Sequence, residues 1–233
     1  MRLLACATAL ALSVPATPAA PTAFVYGYAW PDGQGHLRVV PRSAALKAVA
    51  GAKELRLDYT GAAYGRITVA CDLKETEGRA NVDAKGLGRT MCKPADLAAT
   101  LGRGPVPVRV EHRGGKATRV NEILVKDWPD PRLAKGTLKR VNDTTVLFAT
   151  GGKTVKLGYA YTTTFSRTTA RCGDGWLAGR PVNASQNGLG KKDCTWKDLT
   201  KALKGVRHPV LVKIDYTPGV DSLNQVWEIF GDA

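Results

Sequence analysis

The residues best equipped for chemistry in this chain are its cysteines. Five occur among the 233 residues, as Cys6, Cys71, Cys92, Cys172 and Cys194. A thiol pair can close a disulfide or hold a metal. A zinc site calls for closely spaced Cys or His ligands. The chain has no Cys-x-x-Cys pair and no paired histidines, so no metal and no cofactor is expected. A catalytic constellation is equally hard to assemble. His36, His112 and His208 are the three histidines, and Ser43, Ser166, Ser185 and Ser222 are the serines beyond the leader. No Gly-x-Ser-x-Gly elbow occurs. No glycine-rich phosphate loop opens a helix. Glu122 and Glu228 would have to meet in one site to act as a hydrolytic pair. The expectation is a protein that is not an enzyme.

What the cysteines do follows from a duplication. Residues 66–123 and 167–229 repeat one another. Cys71 answers to Cys172 and Cys92 to Cys194. Asp96-Leu97 answers to Asp198-Leu199, and Leu101 to Leu203. Pro107-Val108-x-Val110 matches Pro209-Val210-x-Val212, and Val120-x-Glu122-Ile123 matches Val226-x-Glu228-Ile229. Internal repeats of this kind define units before any other signal does. Four cysteines allow three pairings. Self-sufficient repeats favour Cys71–Cys92 and Cys172–Cys194. Closing a loop of roughly 20 residues typically adds about 3 kcal/mol.

The elements that carry these residues read as follows. Residues 1–20 form an expected signal peptide, with Arg2 ahead of a short apolar run and small residues near Ala16 and Ala19. Residues 24–126 form repeat 1, 127–135 a proline-containing linker, and 136–231 repeat 2. In repeat 1, residues 24–30, 36–40, 55–59 and 67–71 alternate as strands. A short helix is expected at 43–50, as an insertion without a counterpart in repeat 2. The main helix starts at Pro94, shows Leu97 and Leu101 on one face, and stops at Gly102. Residues 106–111 and 118–125 form a closing hairpin. The fold class is therefore α+β: two tandem repeats, each an antiparallel sheet of about five strands with one main helix and one disulfide.

Lys and Arg number 34 against 20 Asp and Glu, a formal charge of +14. Such a protein meets nucleic acid, an anionic wall or an acidic partner, or is simply soluble. The basic residues form no run and aromatic residues are few, so nucleic acid is not expected. Anionic-polymer binding rests on charge alone. No segment suits a membrane span, and a secreted, extracellular protein is expected.

The order Val69-Ala70-Cys71, a polar loop, Cys92, a Leu97-bearing helix, Pro107-Val108-x-Val110 and a glycine hairpin resembles the Streptomyces subtilisin inhibitor family. The resemblance covers roughly 60 residues of each repeat. It implies a five-stranded antiparallel sheet and inhibition of subtilisin- or trypsin-like serine proteases through an exposed loop. In that family a second disulfide braces the loop; here the corresponding segments contain no cysteine. Counting back from Pro107 puts the family's scissile-bond side chain on Arg103, followed by Gly104. The same count from Pro209 gives Gly205, flanked by Lys204 and Arg207. The resemblance thus implies a non-catalytic, secreted protein whose partner is another secreted protein, a trypsin- or subtilisin-like domain, active or degenerate. Two similar units in one chain suit a second class: an adaptor bridging components of an exported bacterial complex such as a toxin particle.

Overall fold

A computed structural model describes residues 21–231; the expected signal peptide and its Cys6 lie outside them. Repeat 1 runs β1 (Ala23–Pro31), β2 (His36–Arg42), β3 (Leu55–Asp58), β4 (Ala63–Arg66), β5 (Thr90–Cys92), α1 (Pro94–Arg103), β6 (Val106–Arg113) and β7 (Lys116–Glu122). Repeat 2 follows the same order: β8 (Arg132–Asn142), β9 (Thr145–Thr150), β10 (Lys153–Gly158), β11 (Thr164–Arg167), β12 (Lys192–Thr195), α2 (Trp196–Lys204), β13 (Val210–Thr217) and β14 (Ser222–Glu228).

Each repeat forms one seven-stranded sheet, larger than the five strands expected. The order in repeat 1 is β3-β2-β1-β6-β7-β4-β5, with a further contact from β3 to β7. That contact, Asp58 against Lys116, is parallel and bends the sheet back on itself. Asp58 N–H reaches Gly115 O at 3.0 Å, and in repeat 2 Gly158 N–H reaches Asp221 O at 2.8 Å. Five strands thus close into a barrel, with β4 and β5 continuing from β7. The pairing pattern is β1 between β2 and β6, then β7 parallel to β3, with the helix between β3 and β6. This is the connectivity of the five-stranded OB barrel. It differs from the expected wholly antiparallel sheet, because β7 lies parallel to both β3 and β4. The added strands escape a sequence reading because strands of three or four residues show too little alternation.

The expected helix at 43–50 is absent. Arg42 instead bridges Ala48, Ser43 N–H donates to Lys47 O, and Leu46 has a left-handed backbone (φ 57°). Leu46 and Val49 were a single i, i+3 pair, too little to define a helical face. Residues 67–71 are not a strand either: β4 stops at Arg66, and the chain turns where Thr68 Oγ1 donates to Ala70 O. α1 continues through Gly102 to Arg103, and β8 begins at Arg132, inside the expected linker. Leu97, Leu101, Leu199 and Leu203 all face the cores, as their spacing predicts. Asp96 and Asp198 accept the N–H groups of Lys93 and Thr195, so they cap helices.

Both disulfides pair within a repeat, Cys71–Cys92 and Cys172–Cys194. Beneath each lies a buried ion pair. In repeat 2, Arg167 Nη2 meets Glu228 Oε1 at 3.0 Å, both side chains being 0% exposed. The same guanidinium donates to the carbonyls of Cys172, Asp174 and Gly175. Glu228 in turn accepts from Thr168 N–H, the Thr168 hydroxyl and Leu177 N–H. In repeat 1, Arg66 Nε meets Glu122 at 3.3 Å, and its Nη1 holds the carbonyls of Cys71 and Leu73. Tyr64 donates its hydroxyl to Glu122, and burial together with that carboxylate raises the phenol pKa. The Gly-Leu-Gly segments serve this site. A Cβ on Gly88 would lie 2.3 Å from Arg66 C, and one on Gly190 2.3 Å from Ser166 O.

The repeats dock through the outer face of β1 and β2. Trp30, 1% exposed, packs with Val40 and Ala160 and lies over Gly158. Arg42 donates to Gly219 O and pairs with Asp221 at 2.9 Å. Burial raises the Asp221 carboxyl pKa, with Arg42 opposing. Glu54 bridges Arg38 to Lys156 of repeat 2.

Glu228→Gln leaves Arg167 buried without its counter-charge. The expected loss is about 3–5 kcal/mol, read from the urea midpoint; an unshifted midpoint would show that the pair carries no stability.

Candidate partner-binding loops

The ladder register changes how the two helix-to-strand loops compare. Val108 faces Glu122, whereas Val212 faces Glu228. The true counterpart of Val108 is therefore Val212, and the match of Pro107 with Pro209 is displaced by two residues. A slip of two keeps every side chain on the same face, so alternating valines cannot reveal it. The consequence is a difference in loop length. Between α1 and β6 stand only Gly104 and Pro105, while residues 205–209 separate α2 from β13.

The short loop of repeat 1 is half-buried. Arg103 forms the last turn of α1, and its Nη2 donates to Glu75 Oε1 at 2.7 Å. Its carbonyl accepts from the Thr162 hydroxyl of repeat 2 at 3.1 Å, and Gly102 O accepts from Tyr161 N–H. Gly104 lies against the same threonine. Ile67, Pro105, Leu124 and Trp128 wall a hollow of about 400 Å³ beside them. Arg103 and Gly104 thus belong to the junction between repeats, and the Arg103 side chain is held sideways.

The long loop of repeat 2 is open. Gly205 caps α2 through its N–H to Leu203 O. Lys204 Nζ is tied to Asp143 at 2.8 Å. Hydrogen bonds from Lys204 and Arg140 hold the Asp143 carboxyl pKa below its ordinary value. Arg207 and His208 are exposed, and Arg207 makes no ion pair among the described residues. Beside them a hollow of about 590 Å³ is lined by Trp176, Leu177 and Val206. Trp176 stacks on Phe165 at 5.6 Å, and Leu177 projects from a left-handed backbone position (φ 50°) with 39% exposure. The structure therefore places Gly205 and Arg207 in one loop, with Lys204 at the helix end just before it, and Arg103 and Gly104 elsewhere.

The remaining chemical candidates are structural. The Cys71, Cys92, Asp96 group and its Cys172, Cys194, Asp198 counterpart hold sulfurs already bonded to each other. Glu122 and Glu228 sit in separate barrels, each in its own ion pair. His36 Nδ1 lies 2.9 Å from Gln34 O. Ser166 bonds Asp193 and Gln225, and no histidine joins them among the described residues. Sequence reasoning overlooked Arg66 and Arg167. The signal was present, because each stands five residues before the first cysteine of its repeat. No family model matches the chain, and neither a curated protein nor a solved structure matches it.

Glu75 receives both Arg66 and Arg103 at 2.6 and 2.7 Å. Burial alone would raise its pKa; the hydrogen bond from Arg103 and the charges of both arginines more than reverse that, leaving it lowered. A lowered carboxylate stabilises the fold above its unfolded value, near 4.5, and loses that effect as pH falls through the folded value. Glu75→Gln should therefore lose about 1 kcal/mol at neutral pH. Its urea midpoint should converge on that of the unsubstituted protein as pH drops below 4.5; a gap constant with pH would contradict this assignment.

Proposed function

We propose that this is an exported, non-catalytic protein-binding protein that engages a serine-protease-type partner, trypsin- or subtilisin-like, through the loop of repeat 2 at residues 205–209. The observation that carries this reading is the exposed Arg207. It stands on a five-residue loop between a capped helix end and β13, with no carboxylate paired to it among the described residues. A basic side chain presented in this way suits an acidic specificity pocket. The adjoining hollow of Trp176 and Leu177 offers apolar area for the partner's rim. Two disulfides accord with an oxidising compartment. Among the described residues no helix is long and apolar enough to cross a membrane. The resemblance to the inhibitor family points to the same partner class, with the contact moved from Arg103 to the other repeat.

The docked barrels favour a second reading. Trp30, Arg42 and Glu54 fix one repeat against the other, which suits an adaptor that holds two components of an exported complex at a set spacing.

Titration against trypsin and subtilisin separates the two. The inhibitor reading expects stoichiometric inhibition, weakened about tenfold or more by Arg207→Ala and unaffected by Arg103→Ala at the contact itself. Undiminished protease activity, with large non-protease partners recovered from the culture supernatant, would replace it with the adaptor.

A further inference from the structure

Where α1 of repeat 1 passes the turn between β10 and β11, the two repeats leave a hollow of about 570 Å³ between them. That volume lies within the range of small-ligand clefts, roughly 300–1,000 Å³. One wall is the last part of α1, where Ala99 and Gly102 carry almost no side chain. Gly102 O accepts Tyr161 N–H at 3.3 Å, which holds the wall of repeat 2 against it. That second wall carries two aromatic residues, Tyr161 and Trp196, with Thr164 and Thr195 beside them.

Neither aromatic residue is needed to build the barrel. Repeat 1 forms the same elements with Thr60 and Gly61 in the turn between β3 and β4, and with Pro94 as the first residue of its helix. Tyr161 is nevertheless 71% exposed, a costly place for a large ring without a function. Trp196 leans on the core of repeat 2 and is half-buried. Neither ring stacks on another aromatic side chain among the described residues.

The polar groups around the rings are open. The Tyr161 hydroxyl, the Thr164 hydroxyl and the Trp196 indole N–H make no hydrogen bond within the protein among the described residues. The two hydroxyls donate and accept, and the indole donates. No acidic side chain lines the hollow. Its two cations are engaged, Arg103 with Glu75 and Lys197 over the Trp196 ring at 5.8 Å. The hollow thus presents no carboxylate to a cation and no pair of free cations to an anion. It presents aromatic surface beside neutral donors and acceptors.

We infer that this hollow binds a chain of β-linked, gluco-configured pyranose sugars. With its ring substituents equatorial, such a sugar has flat C–H faces and a girdle of hydroxyls. The faces suit the rings of Tyr161 and Trp196, whose negative π-surface attracts C–H groups. The girdle suits the open hydroxyls and the indole N–H. A proline-rich peptide also docks in aromatic grooves, but its prolines offer only carbonyl acceptors, which leaves the accepting side of the Tyr161 and Thr164 hydroxyls unanswered. The site shares no lining residue with the hollow beside residues 205–209 and does not rest on the function proposed for that loop.

Cellohexaose and chitohexaose are the probes, each titrated into the full mature chain by calorimetry. They share one backbone geometry and differ in the acetamido group. Saturable binding of either supports the proposal, and the tighter of the two names the sugar. Tyr161→Ala should weaken binding about fivefold or more, whereas Tyr161→Phe keeps the ring and should lose less. The control Phe24→Ala removes a ring that is 61% exposed and lies outside the hollow, and it should bind as the unsubstituted protein does. Thermal midpoints matched to the parent establish that the variants are folded. Because the ligand is neutral, binding should hold steady between about 0.05 and 0.5 M salt; a steep fall would overturn the choice of a neutral ligand. No saturable heat with either sugar at about 1 mM would overturn the proposal. Undiminished binding by Tyr161→Ala, or equal weakening by Phe24→Ala, would overturn the site. A proline-rich peptide that bound tighter than both sugars would overturn the class of ligand.

Discussion

The buried arginine–glutamate pair is the interaction on which each repeat depends. A guanidinium and a carboxylate removed from water cost several kcal/mol apiece unless every hydrogen-bonding position is answered. Here most of the answers come from the backbone of the disulfide loop, and Arg167 Nε alone of that guanidinium is left without a partner among the described residues. Arg167 binds three carbonyls of that loop, and Glu228 binds one of its amides, at Leu177, together with the Thr168 N–H just before it. The polar satisfaction of the pair and the conformation of the loop are therefore one and the same condition. The disulfide fixes the ends of the loop, while the ion pair fixes its middle. In repeat 1 part of the work passes to side chains, since Tyr64 and Glu75 supply groups that repeat 2 takes from Thr168 and Gly175. The same clamp is thus built from two different sets of partners, which is what duplication followed by local divergence produces.

Divergence of the outer faces explains the asymmetry of the whole molecule. An aromatic stripe, Tyr28 and Trp30, would be an exposed apolar patch on an isolated barrel. Packing Trp30 against Gly158 and Ala160, and Tyr28 against Trp128, buries it, and the Trp30 contact is possible because position 158 carries no side chain: a Cβ there would lie 2.6 Å from the Trp30 ring. Arg42 and Asp221 then lock the rim. Repeat 2 has no such stripe and leaves its corresponding face to solvent. The short loop of repeat 1 is covered by the same docking, which leaves the longer loop of repeat 2 as the one that projects.

The parts of this architecture that were legible in the sequence are those with a strong local signature. Cysteines in matching order gave the two disulfides, and Leu97 with Leu101 gave the helix and its inward face. Asp96 and Asp198, matched between the repeats, both cap their helices. Other features had no local signature. Three- and four-residue strands show almost no alternation, so β4, β5 and their partners in repeat 2 were not separable from loop. Barrel closure rests on one parallel contact between strands distant in the chain, which no periodicity encodes. The loop comparison failed for a different reason: valines at every second position are invariant to a two-residue shift, and only the hydrogen-bond register decides between the alternatives. Trp30 could not be read as a docking residue because its counterpart, Lys139, is of opposite character.

The last strand of each barrel has a consequence for how the chain acquires its shape. β7 alone touches β6, β4 and β3, and β14 alone touches β13, β11 and β10. Until it arrives, the first three strands form a curled sheet with open edges, and the short strand pair has nothing to join. Its glutamate is also the partner that the buried arginine awaits. Closure is therefore a late, long-range event within each repeat, of the kind that folds slowly because distant segments must meet before any contact repays the loss of chain freedom. Repeat 1 contains its own final strand and can close by itself, whereas Trp30 stays uncovered until β10 of repeat 2 is in place. The order of synthesis thus becomes an order of assembly: first barrel, second barrel, then the seam between them.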